Sequence, residues 1–91
     1  MSDQIRYTLE KPIQFTASRR VEELTFRMAV TVKDLRRLDQ AEGNVANGAM
    51  ILSILSGEPV ELIDAMSGAD FFKAQEMLKP FLKDILGTGA N

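Results

Sequence analysis

The chain has 91 residues, of which 45% are hydrophobic and 26% charged, enough for one globular core and too few for two. It contains no cysteine, histidine or tryptophan, which excludes disulfides, Cys/His zinc sites and catalysis by a cysteine nucleophile or an imidazole base. Eleven basic and thirteen acidic residues give a net charge of −2, which argues against a large basic surface for nucleic acid or anionic lipid.

The N-terminal part of the chain has the two-residue alternation of half-buried strands. Apolar residues occupy every second position from Ile5 to Leu9 and again from Leu24 to Met28. Pro12 interrupts the first run, which indicates a bend or an edge position. The pattern predicts a β-hairpin over residues 4–28 with its tip near Ser18.

The apolar spacing becomes helical after the hairpin. Thr31, with Asp34 three residues later, predicts a cap for a first helix that reaches about Gln40. The segment from Gly43 to Gly57 has no charged residue and predicts a second helix that is buried in the core or faces a partner. A stripe of small side chains on this helix predicts close approach of a neighbouring helix: Ala46, Ala49, Ser53 and Ser56.

Two further helices follow. Pro59 is tolerated in the first turn of a short third helix, and Ser67 with Asp70 predicts the cap of the last one. The predicted apolar face of the last helix consists of Phe71, Ala74, Leu78, Leu82 and Ile85, and the opposite side carries Lys73, Glu76, Lys83 and Asp84. Pro80 falls on the polar side, which predicts a bend and not a break.

Together these elements predict an α+β fold, with an N-terminal β-hairpin followed by three or four α-helices in one small domain over residues 4–86. Residues 1–3 and 87–91 are predicted to fray. The predicted core contains Ile51, Leu52, Leu55, Phe71 and Leu78.

Carboxylates are the only candidates for acid–base or metal chemistry. Glu22 and Glu23 are neighbours in a strand and point to opposite faces, so they do not act together. Asp64 and Asp70 have ready structural roles as an exposed helix residue and a helix-start acid. The sequence therefore predicts no enzyme activity, no cofactor and no metal site.

The basic doublets Arg19-Arg20 and Arg36-Arg37 are not interleaved with aromatic residues. A solvated face explains them better than phosphate contacts, so we expect no nucleic acid partner. The N-terminus has no signal-peptide pattern, and no stretch approaches the length of a membrane span. We therefore expect no membrane partner and a cytoplasmic location.

Several large apolar side chains lie off the predicted core stripe of the last helix. Phe72 and Phe81 are the clearest, so at least one of them is expected to be exposed or covered by a partner. Met77 on the same helix and Met50 on the uncharged helix suit an adaptable apolar surface. These four residues are the predicted partner-binding set, with Phe72, Met77 and Phe81 the first to test.

The order and spacing of several short segments resemble the tail assembly chaperones of contractile-tailed bacteriophages, the family grouped with the E protein of phage P2 and its Mu-like relatives. The resemblance covers about residues 4–86. It rests on Tyr7-Thr8-Leu9-Glu10-Lys11-Pro12-Ile13, Val21-Glu22-Glu23-Leu24-Thr25-Phe26-Arg27, Lys33-Asp34-Leu35-Arg36, Leu55-Ser56-Gly57-Glu58-Pro59, Leu62-Ile63-Asp64 and Asp70-Phe71. The family often has a proline after the second strand, where this chain has Met28-Ala29-Val30-Thr31.

The resemblance implies a non-enzymatic phage or prophage protein of the host cytoplasm. Such a protein binds the tape measure protein, keeps it soluble, assists tail-tube polymerisation around it and is absent from the mature virion. The implied partners include the tail-tube protein and a longer form of the chaperone made by ribosomal frameshifting. Two alternatives from other classes stay open: a small DNA-binding regulator that uses the helices after Thr31, and a dimeric adaptor or antitoxin-like protein whose uncharged helix forms a homo-oligomer core.

Overall fold

The computed structural model describes residues 4–40 and 42–83. Two strands come first, β1 over Gln4–Thr16 and β2 over Arg19–Arg27. Four helices follow: α1 over Val32–Leu38, α2 over Asn44–Ser56, α3 over Val60–Asp64 and α4 over Gly68–Leu82. The predicted α+β fold of a hairpin followed by helices is confirmed. The predicted frayed ends, residues 1–3 and 87–91, and the last part of the predicted domain, residues 84–86, lie outside the described residues.

The hairpin is antiparallel, and a wide bulge interrupts it. Thr8 of β1 pairs with Glu23 of β2, but the next pair is Ile13 with Val21. Four residues of β1 therefore stand opposite one residue of β2. Pro12 lies within this bulge, where the missing proline N–H breaks no ladder hydrogen bond. The predicted bend at Pro12 is confirmed, and the turn falls at residues 17–18 as expected.

The core lies between the inner face of the hairpin and helices α2, α3 and α4. Its buried members are Leu9, Ile13, Val21, Leu24, Phe26, Ala49, Leu52, Leu55, Leu62, Ile63, Met66, Phe71, Ala74 and Leu78. Four of the five predicted core residues are among them. The fifth, Ile51, is half-buried and packs against this core, where it borders a small apolar cavity with Leu35 and Leu38 of α1.

The junction between β2 and α1 is organised by Arg27. Its guanidinium donates hydrogen bonds to the Ala29 carbonyl at 2.6 Å, the Asp34 carboxylate at 3.1 Å and the Ile54 carbonyl at 3.0 Å. Asp34 also accepts from the Thr31 amide and completes a capping box. That backbone hydrogen bond lowers the pKa of Asp34, burial opposes it, and Arg27 lowers it further. These contacts fix the chain direction between β2 and α1.

Helix α1 begins as predicted at the Thr31 cap but ends at Leu38, two residues before the predicted end at Gln40. The Gln40 amide bonds to the Arg37 carbonyl at 3.2 Å, so the chain tightens into a turn there.

Helix α2 ends at Gly57, which adopts the left-handed conformation with φ of 76°. Its C-terminal half, Leu52 to Leu55, is buried, but Val45 in its first turn is 64% exposed. The prediction of a buried second helix is therefore confirmed for its C-terminal half. Its first turn is exposed at Val45 because the neighbouring helices leave a hollow there.

Helix α2 approaches α4 closely at Gly48, which lies next to Ala49 of the predicted stripe of small side chains. A Cβ atom on Gly48 would collide with the Gln75 side chain and stand 3.1 Å from the Phe71 ring. Ala46 of the predicted stripe is exposed. Ser53 is buried, and its hydroxyl donates to the Glu58 carbonyl at 2.5 Å, which ties α2 to the start of α3.

Helix α4 begins at the predicted Ser67 cap, whose hydroxyl accepts from the Asp70 amide at 3.1 Å. It continues through Pro80 to Leu82, so the proline does not break it. Phe71, Ala74 and Leu78 of its predicted apolar face are buried and Leu82 is half-buried. The other two residues assigned to its faces, Ile85 and Asp84, lie outside the described part of the chain.

Candidate partner-binding surface

The start of α4 is anchored to the hairpin bulge by the fully buried side chain of Asp70. One carboxylate oxygen accepts from the Tyr7 hydroxyl at 2.6 Å and the Glu10 amide at 2.9 Å. The other accepts from the Lys11 amide at 3.0 Å and the Ser67 hydroxyl at 3.1 Å. Because the bulge leaves the Glu10 and Lys11 amides without a β2 partner, the carboxylate satisfies them in place of a strand.

Hydrogen bonding decides the charge state of Asp70. Burial by itself raises the pKa of this carboxyl, but the four donors favour the ionised form and lower the pKa from 3.8 to about 2. Burial, the hydrogen bond to Asp70 and the negative charges of Asp70 and Glu10 raise the pKa of Tyr7 from 10.0 to about 12. The pair is therefore an ionised carboxylate and a neutral phenol across the whole physiological range.

The Tyr7 phenol provides a direct test of this contact, since Tyr7 is the single tyrosine of the chain and tryptophan is absent. We expect its phenolate absorbance to rise with a midpoint near pH 12 in the folded protein. In Asp70→Asn, the midpoint should shift toward 10 without reaching it, because the negative charge is lost while burial remains. Asp64→Asn, at an exposed site, should leave the midpoint unchanged. An identical midpoint in Asp70→Asn would contradict the contact.

The anchor also sets the directions of the next two side chains. Phe71 turns inward and is buried, whereas Phe72 is 60% exposed. The two rings pack edge to face with centroids 5.3 Å apart, a favourable arrangement for aromatic pairs. The expectation that at least one of Phe72 and Phe81 is exposed is confirmed.

An apolar hollow opens beside Phe71, where α2, α3 and α4 meet. It is lined by Val45, Ala49, Ile63, Asp64, Met66, Gly68 and Phe71, and its volume is about 170 Å³. We call it the corner hollow. Val45, one of the most exposed large apolar side chains among the described residues, lines the corner hollow. Phe72 packs edge to face against Phe71 but borders a different pocket, with Gln75, Glu76, Lys79 and Leu82.

Val45 and Gly68 were absent from the predicted partner-binding set. Val45 lies in an uncharged helix with no obvious exposed face, so its exposure follows from how the neighbouring helices end. Gly68 has no side chain to signal a site, and its position at the corner hollow is visible only in the structure.

The structure does not bring the four predicted partner-binding residues together. On α4, a spacing of about 100° per residue sets Met77 about 140° and Phe81 about 180° around the helix from Phe72. Met77 is 38% exposed and Phe81 is half-buried against the core. Both follow Asp70 at helical spacing, on the side that faces β1. The helical period alone places Met77 and Phe81 on a different side of α4 from Phe72, so this separation could be predicted from the sequence.

Met50 lies on a third part of the surface. It borders a groove with Arg37, whose guanidinium is 3.9 Å from the methionine sulfur. Arg19 forms an ion pair with Glu58, and Arg20 forms one with Glu22. Each arginine of that doublet is therefore already paired with a carboxylate.

The candidate carboxylates do not form a catalytic cluster. Glu22 and Glu23 are exposed and pair with arginines, and Asp64 is exposed while Asp70 is buried among its donors. Within residues 4–40 and 42–83, no group of three or more acidic side chains is arranged to hold a metal ion. None of the helices in the described part of the chain has the length and apolar character needed to cross a membrane.

Comparison with known proteins gives one match. A family model described as phage tail assembly chaperone proteins, E, or 41 or 14, matches residues 6–83. These residues include both strands and all four helices except the first two residues of β1. No curated protein and no solved structure matches the chain.

Proposed function

Because this chain belongs to the phage tail assembly chaperone family, we propose that it binds the tape measure protein of its own phage in the host cytoplasm. It keeps that protein soluble and assists tail-tube polymerisation around it, and it leaves before the virion is complete. The chain has no enzymatic step in this role and needs no cofactor.

One observation carries the proposal: the exposed apolar side chains of Val45 at the corner hollow and of Phe72, which packs against Phe71. A small domain gains little from exposing Phe72 and Val45, which are 60% and 64% exposed, unless a partner covers them. A tape measure protein, as a long helical chain with apolar faces before the tube encloses it, is a partner of the required chemistry. Binding an apolar helical face through apolar side chains is a common mode of recognition.

Co-expression tests the proposal. We expect the tape measure protein encoded in the same phage genome to be soluble and to co-purify with the chain, and to be insoluble when expressed alone. Tails purified from the same phage should contain the tail-tube protein and lack this chain. The core variant Leu55→Ala, which we expect to be strongly destabilised, is the control and should rescue solubility less than the unaltered chain. A tape measure protein that stays insoluble with the unaltered chain would contradict the proposal.

A further inference from the structure

We propose that the corner hollow receives one large apolar side chain from a helical segment of the tape measure protein, and that a lysine or arginine close to it on the same segment pairs with Asp64. The inference rests on the proposed function, because it specifies the surface used and the chemistry of the segment that binds there.

The size of the corner hollow fits one side chain. Its volume of about 170 Å³ is close to that of an engineered apolar cavity of about 150 Å³ that accepts a benzene ring. Three helices supply its walls, so an inserted leucine, methionine or phenylalanine would contact side chains from all of them. Val45 at the wall would then lose its exposure to water. Large side chains near the centre of an interface commonly provide most of the binding energy.

The charge at the corner hollow predicts a second property of the bound segment, which is a basic side chain. Asp64 is exposed and lines the corner hollow, it forms no ion pair with any described residue, and no basic side chain lines the hollow. Beyond Val45 the chain has three basic and six acidic residues. A basic side chain next to the inserted apolar one therefore meets an unpaired carboxylate without a competing cation. Such a rim pair favours the correct partner and speeds association.

The same charge argues against a second copy of this chain as the occupant. A self-complementary contact at such a small hollow would bring two Asp64 carboxylates to one interface, and like charges placed close together are repulsive.

Gly68 allows the hollow to be blocked without disturbing the fold. A Cβ atom there meets nothing within 4 Å, and the glycine does not have a positive φ. Gly68→Leu should therefore fold and place a side chain at the hollow in competition with the partner. Ala69→Leu is the matched control, since residue 69 is exposed and does not line the hollow.

The experiment measures the Kd of overlapping fluorescent peptides that together cover the tape measure protein, by anisotropy. We expect a binding peptide to combine helically spaced apolar residues with a lysine or arginine. Gly68→Leu should weaken its binding at least about tenfold, whereas Ala69→Leu should bind like the unaltered chain. Val45→Ala should weaken binding more than Val32→Ala, which truncates a valine that is 72% exposed on α1.

Charge reversal tests the second half of the inference. Asp64→Lys should weaken binding and remove much of its salt dependence, while Glu61→Lys, on the same helix but outside the hollow, should have little effect. Equal effects of the two reversals would overturn the pairing with Asp64.

The outcomes separate this inference from the proposed function. If a peptide binds and Gly68→Leu binds it as tightly as Ala69→Leu does, the corner hollow is not the site, and the proposed function stands. If no peptide binds the unaltered chain, the inference is overturned, and co-expression decides separately whether the proposed function survives. A dimer in sedimentation equilibrium that Gly68→Leu dissociates and Ala69→Leu does not would also overturn it, because a second copy would then occupy the hollow.

Discussion

Replacing Asp70 with alanine is expected to lower the free energy of unfolding by about 3–5 kcal/mol. The change leaves the Tyr7 hydroxyl and the Glu10 and Lys11 amides without the acceptor that they share, and it removes an acceptor of the Ser67 hydroxyl. A donor left unsatisfied away from water costs about 1–3 kcal/mol, and these three hydrogen bonds are partly buried. Since a domain of this size has a total stability of roughly 5–14 kcal/mol, the variant would lose a large share of it.

Urea unfolding followed by circular dichroism measures this loss. Asp64→Ala is the matched control, because its side chain is exposed, and it should change stability by no more than about 0.5 kcal/mol. A similar unfolding midpoint for Asp70→Ala and Asp64→Ala would contradict the anchoring role of Asp70.

Acid unfolding examines the ionised state of the same side chain. The pKa of Asp70 is lowered from 3.8 to about 2 in the folded protein, so its ionised form contributes stability above pH 3.8 that is lost as the pH falls toward 2. The contribution is about 2 kcal/mol. Asp70→Asn should therefore lose less stability than the unaltered chain over this interval. The loss of stability that remains in Asp70→Asn would include a contribution from Asp34, whose pKa is also lowered.

Replacing Leu55 with alanine is expected to cost about 2–5 kcal/mol. Leu55 is 2% exposed in the buried half of α2, so the truncation removes apolar contacts and opens a cavity. It already borders the small cavity that Leu35 and Ile54 also line, which the truncation would enlarge. In a domain of this size, such a loss can abolish stable folding.

Thermal unfolding provides the measurement, and Val45→Ala is the control. Both residues are on α2, but Val45 is exposed, so its truncation should change stability by no more than about 0.5 kcal/mol. An unchanged thermal midpoint for Leu55→Ala would show that the helix is not packed as described. A folded Val45→Ala variant would also establish that its effect on peptide binding is not caused by unfolding.

The sequence by itself determined the elements and their order. The two-residue alternation, the Thr31 and Ser67 caps and the end of the uncharged helix at Gly57 all depend on residues within a few positions of one another, and each is found where it was predicted. Buried positions of the last helix, such as Leu78, also followed from local spacing. Local patterns were sufficient here because strand alternation and helix capping are short-range interactions.

The tertiary structure decided which side chains meet across long stretches of chain. The sequence around Asp70 has the pattern of an ordinary acidic residue at a helix start. That pattern is the same whether the side chain faces water or a strand. Only folding brings it to the amides of Glu10 and Lys11, about 60 positions away. The exposure of Val45 likewise depends on where α3 and α4 end and begin. Such contacts depend on how whole elements pack, and the spacing of residues within one element carries no information about that packing.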